Sequence, residues 1–180
     1  MQPQDVLDFW FVEHGPSDWY SGDPAFDERC KERLSAVHAK AVRSELWAWR
    51  KTVEGRVAEL VLLDQVSRQL FRGDARAFAA DTMALALAQE AVAQGLDKDL
   101  DLHHRLFVYM PYEHAESAII QEESVRLFES LGSDDYLSYA LEHRDTIARF
   151  GRFPFRNAAL GRQSTPEEIA YMQERDGKAY

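Results

Sequence analysis

Helix start and stop signals recur along the chain, and they constrain the fold more than any other feature. Asp23 precedes Pro24 in the pattern of an N-cap followed by proline at the first helical position. Thr165 and Glu168 are spaced as the two partners of a capping box at a later helix start. No run of alternating β-branched residues is long enough to predict a sheet. We therefore expect an all-α fold.

These signals predict about seven or eight helices. Gly95, Gly132 and Gly151 each follow a helical stretch, as glycines that end helices do. Pro111 is expected to end a helix at Met110, because proline disfavours helical geometry in the residue before it. The expected helices cover residues 6–13, 26–42, 53–71, 75–94, 101–110, 113–131, 135–150 and a short stretch after Thr165.

The connections between these helices are mostly short enough to make sequence neighbours antiparallel. Hairpins stacked in this way form an α-α superhelix of the tetratricopeptide type, although no strict sequence repeat can be traced. No linker or low-complexity tract divides the chain, and its 180 residues suit one domain. We expect a single tetratricopeptide-like domain over residues 1–180.

Composition restricts the functional classes. Apolar residues make up 46% of the chain, but charges interrupt them too often for a membrane span. The first residues lack the basic and apolar regions of a secretory signal, which predicts a cytoplasmic protein. The net charge of −10 disfavours nucleic-acid binding. Cys30 is the one cysteine and no paired Glu-x-x-His elements occur, so we expect no disulfide, metal site or cofactor.

One basic segment departs from this acidity. Residues 143–162 contain five arginines and one aspartate, a local charge of +4, so the remainder of the chain carries −14. Within it, Arg152 and Arg156 flank two phenylalanines, an arrangement that suits guanidinium groups converging on a phosphate or carboxylate. The alternative is structural, because arginines also cap helix C-termini and satisfy loop carbonyls.

Charged and polar residues also interrupt apolar helix faces. Asp64 continues the inward stripe of its helix, where an unpaired charge is costly, and Arg68 four residues on is the local partner. His143 occupies the middle of another apolar face, with Arg144 beside it. A single histidine on such a face is either a hydrogen-bonded core residue or a functional group.

A third group of polar residues lies within residues 109–123. Glu116 is expected in the first turn of a helix, where an acidic side chain is favourable with the helix dipole. His114 and Gln121 share one mainly apolar face at helical spacing. They are therefore placed to line a cavity with His143.

Several long strings resemble one bacterial family. They are VLDFWF at 6–11, LLDQVSRQLFRG at 62–73, AFAADTMALALA at 77–88, YMPYEHAE at 109–116 and HRDTIARFGRFPFRNAALGRQSTPEE at 143–168. The chain resembles the domain-of-unknown-function 924 family over nearly its whole length. The resemblance implies a tetratricopeptide-like, all-helical fold and supplies no established activity.

The chain departs from that family's pattern at one place. Where the family typically reads P-H-R-N, this sequence has Pro154, Phe155, Arg156 and Asn157. A mechanism that assigns proton transfer to the histidine of that motif is therefore weakened here. Arg156 and Asn157 remain available for binding.

Two functional hypotheses use these residues directly. In the first, a helical binding module takes the phosphate or carboxylate of a metabolite or peptide in an arginine-rich pocket. Its predicted ligand contacts are Arg68, Arg144, Arg152, Arg156, Asn157 and Gln121. In the second, a small-molecule enzyme uses acid/base groups in the same pocket. Its predicted acid/base groups are His114, His143, Asp64 and Glu116. No standard catalytic motif occurs, so binding is the preferred hypothesis.

A third hypothesis makes the polar residues a structural network that fixes helix register. The function would then lie elsewhere, at a homo-oligomer interface around exposed tryptophans in the first third of the chain. The predicted network consists of Asp64, Gln65, Arg68, Arg144 and Asp145.

Overall fold

Local capping signals end and begin helices as expected in the computed structural model, which describes residues 1–175. The Asp23 carboxylate accepts the backbone N–H of Ala25, and Thr165 and Glu168 form the reciprocal capping box. Gly151 ends the long helix before it with a left-handed φ of 70°, a conformation that favours glycine. The described residues contain helices and no strand, so the all-α prediction is confirmed.

Nine α-helices lie within residues 1–175. They are α1 Pro3–Leu7, continued by a π-helical segment Asp8–Glu13; α2 Pro16–Trp19; α3 Pro24–Ala41; α4 Val53–Leu60, continued by a π-helical segment Val61–Val66 and a last turn Ser67–Leu70; α5 Asp81–Ala93; α6 Leu102–Glu113; α7 Ala118–Glu129; α8 Asp134–Phe150; and α9 Pro166–Glu174. Short 3₁₀ turns cover Trp47–Lys51, Ala75–Ala77 and Pro154–Arg156.

Helices α4 and α6 form the centre of the packing. Helix α4 packs against α1, α3 and α5, and α6 packs against α4, α5, α7 and α8. Residues 57–67 of α4 and 106–113 of α6 are all buried. A polar side chain in either stretch is therefore enclosed by the core and needs a partner there.

Sequence neighbours pack as helical hairpins do. Helices α5 and α6, α6 and α7, and α7 and α8 are each in contact. This packing is compatible with a tetratricopeptide-like arrangement, and the superhelix stays a prediction. The single-domain prediction over residues 1–180 also stays a prediction, and residues 176–180 lie outside the described residues.

Pro111 does not break the chain, so that sequence prediction was wrong. Helix α6 continues through Pro111 to Glu113, and the N–H of His114 still donates to the carbonyl of Met110 at 2.9 Å. A proline inside a helix removes a hydrogen bond. Burial of residues 110–113 offsets that loss. Because α7 begins only at Ala118, the expected helix start at residue 113 was also wrong.

The expected start of a further helix is corrected. The helix expected from residue 75 begins at Asp81, because a 3₁₀ turn capped by Asp74 comes first.

Of the tryptophans considered for an interface, Trp10 and Trp19 are buried and stacked on each other, whereas Trp47 is exposed. No helix among residues 1–175 combines the length and apolar character that a membrane crossing needs.

A close backbone contact at the start of α4 makes Gly55 sensitive to substitution. A Cβ atom on Gly55 would lie 2.0 Å from the carbonyl oxygen of Trp49. We expect Gly55→Ala to lower the free energy of unfolding by about 3 kcal/mol, because overpacking forces the backbone to move. Urea unfolding measures this loss. Gly15→Ala is the control, since no atom of residues 1–175 lies within 4 Å of a Cβ placed there, and an equal loss in both variants would contradict the prediction.

Candidate functional site

A buried carboxylate lies at the centre of the candidate site. Asp64 falls in the π-helical segment of α4 and is 1% exposed. Such segments are rare and occur frequently at functional sites. The Oδ2 atom of Asp64 accepts a hydrogen bond from Nε2 of Gln65 at 2.5 Å, and Oδ1 lies 3.3 Å from Nη1 of Arg68. The predicted pairing of Asp64 with Arg68 is confirmed.

His114 is a further partner of Asp64. It caps the C-terminal end of α6, and its Nδ1 atom lies 2.7 Å from Oδ1 of Asp64. An ionised carboxylate can only accept a hydrogen bond, so Nδ1 carries the proton and Nε2 keeps its lone pair. The pair joins α4 to the end of α6.

Two arginines share the carboxylate of Asp81. Arg68 donates to both of its oxygens at 3.0 Å, and Nη1 of Arg156 reaches Oδ2 at 3.3 Å. Nη2 of Arg156 also donates to the backbone carbonyl of His114 at 3.0 Å. Both guanidinium groups lie over the ring of Phe78, at 4.7 Å for Arg156 and 5.5 Å for Arg68. Helices α4 and α5 and the loop after α8 therefore meet at Asp81.

Asp81, His114 and Arg156 border a cleft of about 370 Å³. Its size is near the lower end of typical small-molecule sites. Apolar side chains, including Phe78, Pro111 and Leu160, form part of the wall. The polar lining consists of Asp81, Thr82, His114, Glu116, Ser117 and Arg156. Arg156 alone among the six predicted ligand contacts lines this cleft.

The buried charges shift one another's protonation. Burial opposes the ionisation of Asp64, but the charge of Arg68 and the contacts with His114 outweigh it and lower the pKa of the carboxyl. Burial lowers the pKa of His114, so the imidazole is neutral at pH 7. Burial and the charge of Arg68 lower the pKa of Arg156 to about 10. A lowered pKa indicates that the surroundings of Arg156 compensate its positive charge only in part.

A second buried group lies next to His114. Glu113 is 4% exposed, and its Oε1 atom accepts no hydrogen bond from residues 1–175. His143, on α8, places Nδ1 3.6 Å from that oxygen. Burial, with a smaller effect of Asp64, raises the pKa of Glu113 to about 8, whereas burial and then His114 lower the pKa of His143 to about 3. Both side chains are therefore mainly uncharged at pH 7.

The predicted acid/base residues converge in part. The rings of His114 and His143 have centroids 6.2 Å apart, and Asp64 contacts the first of them. Glu116 lines the cleft, but its carboxylate is bound by groups outside the predicted acid/base set. Its carboxylate accepts two hydrogen bonds from Arg162, at 2.7 and 2.9 Å, and one from the backbone N–H of Phe153 at 2.7 Å.

Every arginine of the basic segment faces a carboxylate. The pairs are Arg144 with Asp145, Arg149 with Glu167, Arg152 with Glu168, Arg156 with Asp81 and Arg162 with Glu116. Four of the five carboxylates come from outside residues 143–162. The local charge of +4 is therefore largely neutralised by acidic side chains that the fold brings against it.

Glu168 organises the loop around Arg152. Arg152 donates to both oxygens of Glu168, at 2.6 and 2.8 Å, and to the carbonyl of Gln163 at 3.0 Å. Asn157 is 1% exposed and donates to Ser164 at 3.0 Å and to Glu168 at 3.3 Å. Arg152 and Asn157 thus hold the loop to the start of α9, away from the cleft wall.

The two remaining predicted contacts also lie off the cleft. Gln121 is 0% exposed and donates to the carbonyls of Glu113 and Ala115, at 2.7 and 2.9 Å, which caps the end of α6. Arg144 pairs with Asp145 at the surface, so neither residue joins the buried network predicted for them. Successive helical residues point about 100° apart, which turns Arg144 away when His143 faces inward.

Sequence reasoning missed several residues of the site. Asp81 has a sufficient local explanation as an acidic residue in the first turn of α5. Glu168 likewise has one as a member of a capping box. Their second roles, with Arg156 and Arg152, depend on contacts across the fold. The sequence signal that could have identified the site was Glu113, a carboxylate that directly follows the apolar run 106–112.

The fold and the site together define an all-helical protein with a polar cleft built on buried ion pairs. The chain belongs to a bacterial family of unknown function, DUF924, whose model matches residues 6–176. It is also similar to a solved structure, that of the protein of unknown function ATU0120 from Agrobacterium tumefaciens. The two chains are 41% identical with a TM-score of 0.91, and the match covers 96% of this chain and 97% of the other. No match was found among curated proteins.

The contacts of Glu168 predict an acid-sensitive step in unfolding. Hydrogen bonds from Arg152 and Thr165 lower the pKa of Glu168 to about 2, from an ordinary value near 4.5. A depressed pKa in the folded state stabilises the fold above pH 4.5 and loses that contribution as the pH falls towards 2. We expect Glu168→Gln to lose about 2 kcal/mol at pH 7 and to show a shallower decline of stability between pH 5 and 3.

Urea unfolding at a series of pH values measures both effects. Glu167→Gln is the matched control, because Glu167 is an exposed neighbour paired with Arg149. It should unfold as the wild type does. An unchanged pH slope in Glu168→Gln would show that Glu168 does not hold this loop by its charge.

Proposed function

We propose that the cleft binds a small molecule through its anionic group. The position of Arg156 supports this function most directly. Its guanidinium is buried at the cleft wall, and its contact with Asp81 is a single one at 3.3 Å to a carboxylate that Arg68 already engages at both oxygens. A bound oxyanion would supply the compensating charge that Arg156 lacks.

Arg156 is also held in place before any ligand arrives. Its guanidinium lies between the rings of Phe78 and Phe153, 4.7 and 4.6 Å from their centroids, and is anchored by the carbonyl of His114. Such preorganisation reduces the entropy cost of binding. The planar donor fork of arginine suits phosphate and carboxylate groups alike.

The other cleft residues extend the binding surface. Thr82 and Ser117 provide hydroxyl groups that can donate hydrogen bonds. Phe78, Leu85 and Leu160 provide apolar surface for the remainder of a ligand. The volume of about 370 Å³ favours a metabolite over an extended peptide.

Substitution of Arg156 tests this function. We expect inorganic phosphate or citrate to bind the wild type in calorimetric titrations, and Arg156→Lys to weaken that binding at least tenfold, because lysine keeps the charge but loses the two-pronged hydrogen bond. Arg156→Ala should weaken it further. Arg144→Ala is the control, since Arg144 pairs with Asp145 at the surface, and it should bind as the wild type does.

Two outcomes would contradict the proposal. One is equal anion affinity in the wild type and both Arg156 variants. The other is a wild type that neither phosphate nor citrate stabilises in thermal unfolding. A melting temperature that falls in Arg156→Ala with no anion binding by the wild type would assign Arg156 a structural role alone.

A further inference from the structure

Glu113 lacks the arginine partner that three other buried carboxylates have. Glu59 accepts from Arg50, Asp64 faces Arg68 and Glu168 faces Arg152. No arginine or lysine among residues 1–175 pairs with Glu113, and its Oε1 atom receives no hydrogen bond from those residues. A buried carboxyl oxygen that accepts no hydrogen bond is costly unless something else is bound there.

The groups that surround Glu113 are imidazoles. One oxygen of Glu113, one ring nitrogen of His114 and one ring nitrogen of His143 all lie within 4.8 Å of one another. Two histidines and one carboxylate are a frequent ligand set for zinc and for other divalent transition metals. The three residues come from the end of α6 and the middle of α8, so the core holds them in place.

Both imidazoles are oriented by a hydrogen bond at Nδ1. Nδ1 of His114 lies 2.7 Å from the Asp64 carboxylate, and Nδ1 of His143 lies 2.8 Å from the carbonyl of Tyr139. Both partners accept, so both Nδ1 atoms carry the proton and both Nε2 atoms carry the lone pair. Histidines that ligate metals usually have such an acceptor behind them, and it fixes their tautomer.

We propose that Glu113, His114 and His143 form a site for one divalent transition-metal ion of the zinc type. Metal–ligand bonds of about 2.1 Å place tetrahedral ligand atoms roughly 3.4 Å apart, so side-chain movements of about 1 Å close the set. His114 also lines the cleft, which gives the ion a path from solvent. Three protein ligands leave a fourth position for water or another small ligand.

This site goes beyond the proposed anion binding and does not depend on it. The sequence predicted no metal, because the chain lacks the short local ligand spacings that identify metal sites in a sequence. Glu113 and His114 are adjacent in the sequence, whereas His143 lies 29 positions after His114, on another helix. Adjacent helical residues point apart, but His114 ends the helix, and its ring turns back against His143.

Cobalt binding tests the site directly. Full-length protein without an affinity tag is freed of metal with a chelator and titrated with Co²⁺ while visible absorption is recorded, and Zn²⁺ is then added as a competitor. We expect one Co²⁺ per chain with the intense bands of a four-coordinate ion, and displacement by Zn²⁺. Glu113→Gln keeps the shape of the side chain and removes the anionic ligand, so it should weaken binding at least tenfold. His143→Gln should weaken it comparably or more.

His104→Gln is the matched control, because His104 pairs with Asp101 and lies outside the cluster. It should bind Co²⁺ as the wild type does. The proposal is overturned by a wild type that binds no Co²⁺, by equal affinity in Glu113→Gln and the wild type, or by loss of the stoichiometric ion in His104→Gln. Phosphate titration of the Arg156 variants is a separate readout, so a failure of one proposal leaves the other measurable.

Discussion

The shared carboxylate of Asp81 is the interaction on which the arrangement around the cleft depends. Arg68 and Arg156 both bind it, and Arg68 in turn faces buried Asp64. Removal of the Asp81 charge leaves Arg156 without the carboxylate it contacts, and the loss of one partner of a buried pair costs more than an intact pair contributes. The chain of charges fixes α4, α5 and the loop after α8 relative to one another, and it sets the position of His114 at the end of α6.

The basic segment shows why a local charge count can mislead. Its arginines suggested a collective anion site, yet the fold brings carboxylates to each of them. Arg152 and Arg162 mainly hold the loop, through Glu168 and Glu116. Arg156 is the arginine of this segment that remains a candidate for anion binding, because it reaches the cleft and shares its carboxylate with a second arginine. An acidic protein has ample carboxylates with which to neutralise one basic stretch.

The sequence predicted what local interactions determine. Caps such as Asp23 and Thr165 act over two or three residues, so helix type and several helix ends were predictable. The continuation of α6 through Pro111 was not predictable, because it depends on burial by other helices. Arg68 was a predictable partner of Asp64 at helical spacing, whereas the contact between Arg156 and Asp81 spans 75 positions. Pairings at that separation leave no periodic signal in a single sequence.

The π-helical segment of α4 has a consequence for the direction in which the end of that helix faces. A π turn accommodates one residue more than a regular turn, so it absorbs the roughly 100° of rotation that the extra residue would otherwise add. If Val61–Val66 were wound as a regular α-helix, Ser67–Leu70 would be rotated by that amount relative to the residues before them. Arg68 would then turn away from the carboxylates it binds. The winding of this segment, and not only the identity of its residues, thus aligns Arg68 with Asp81.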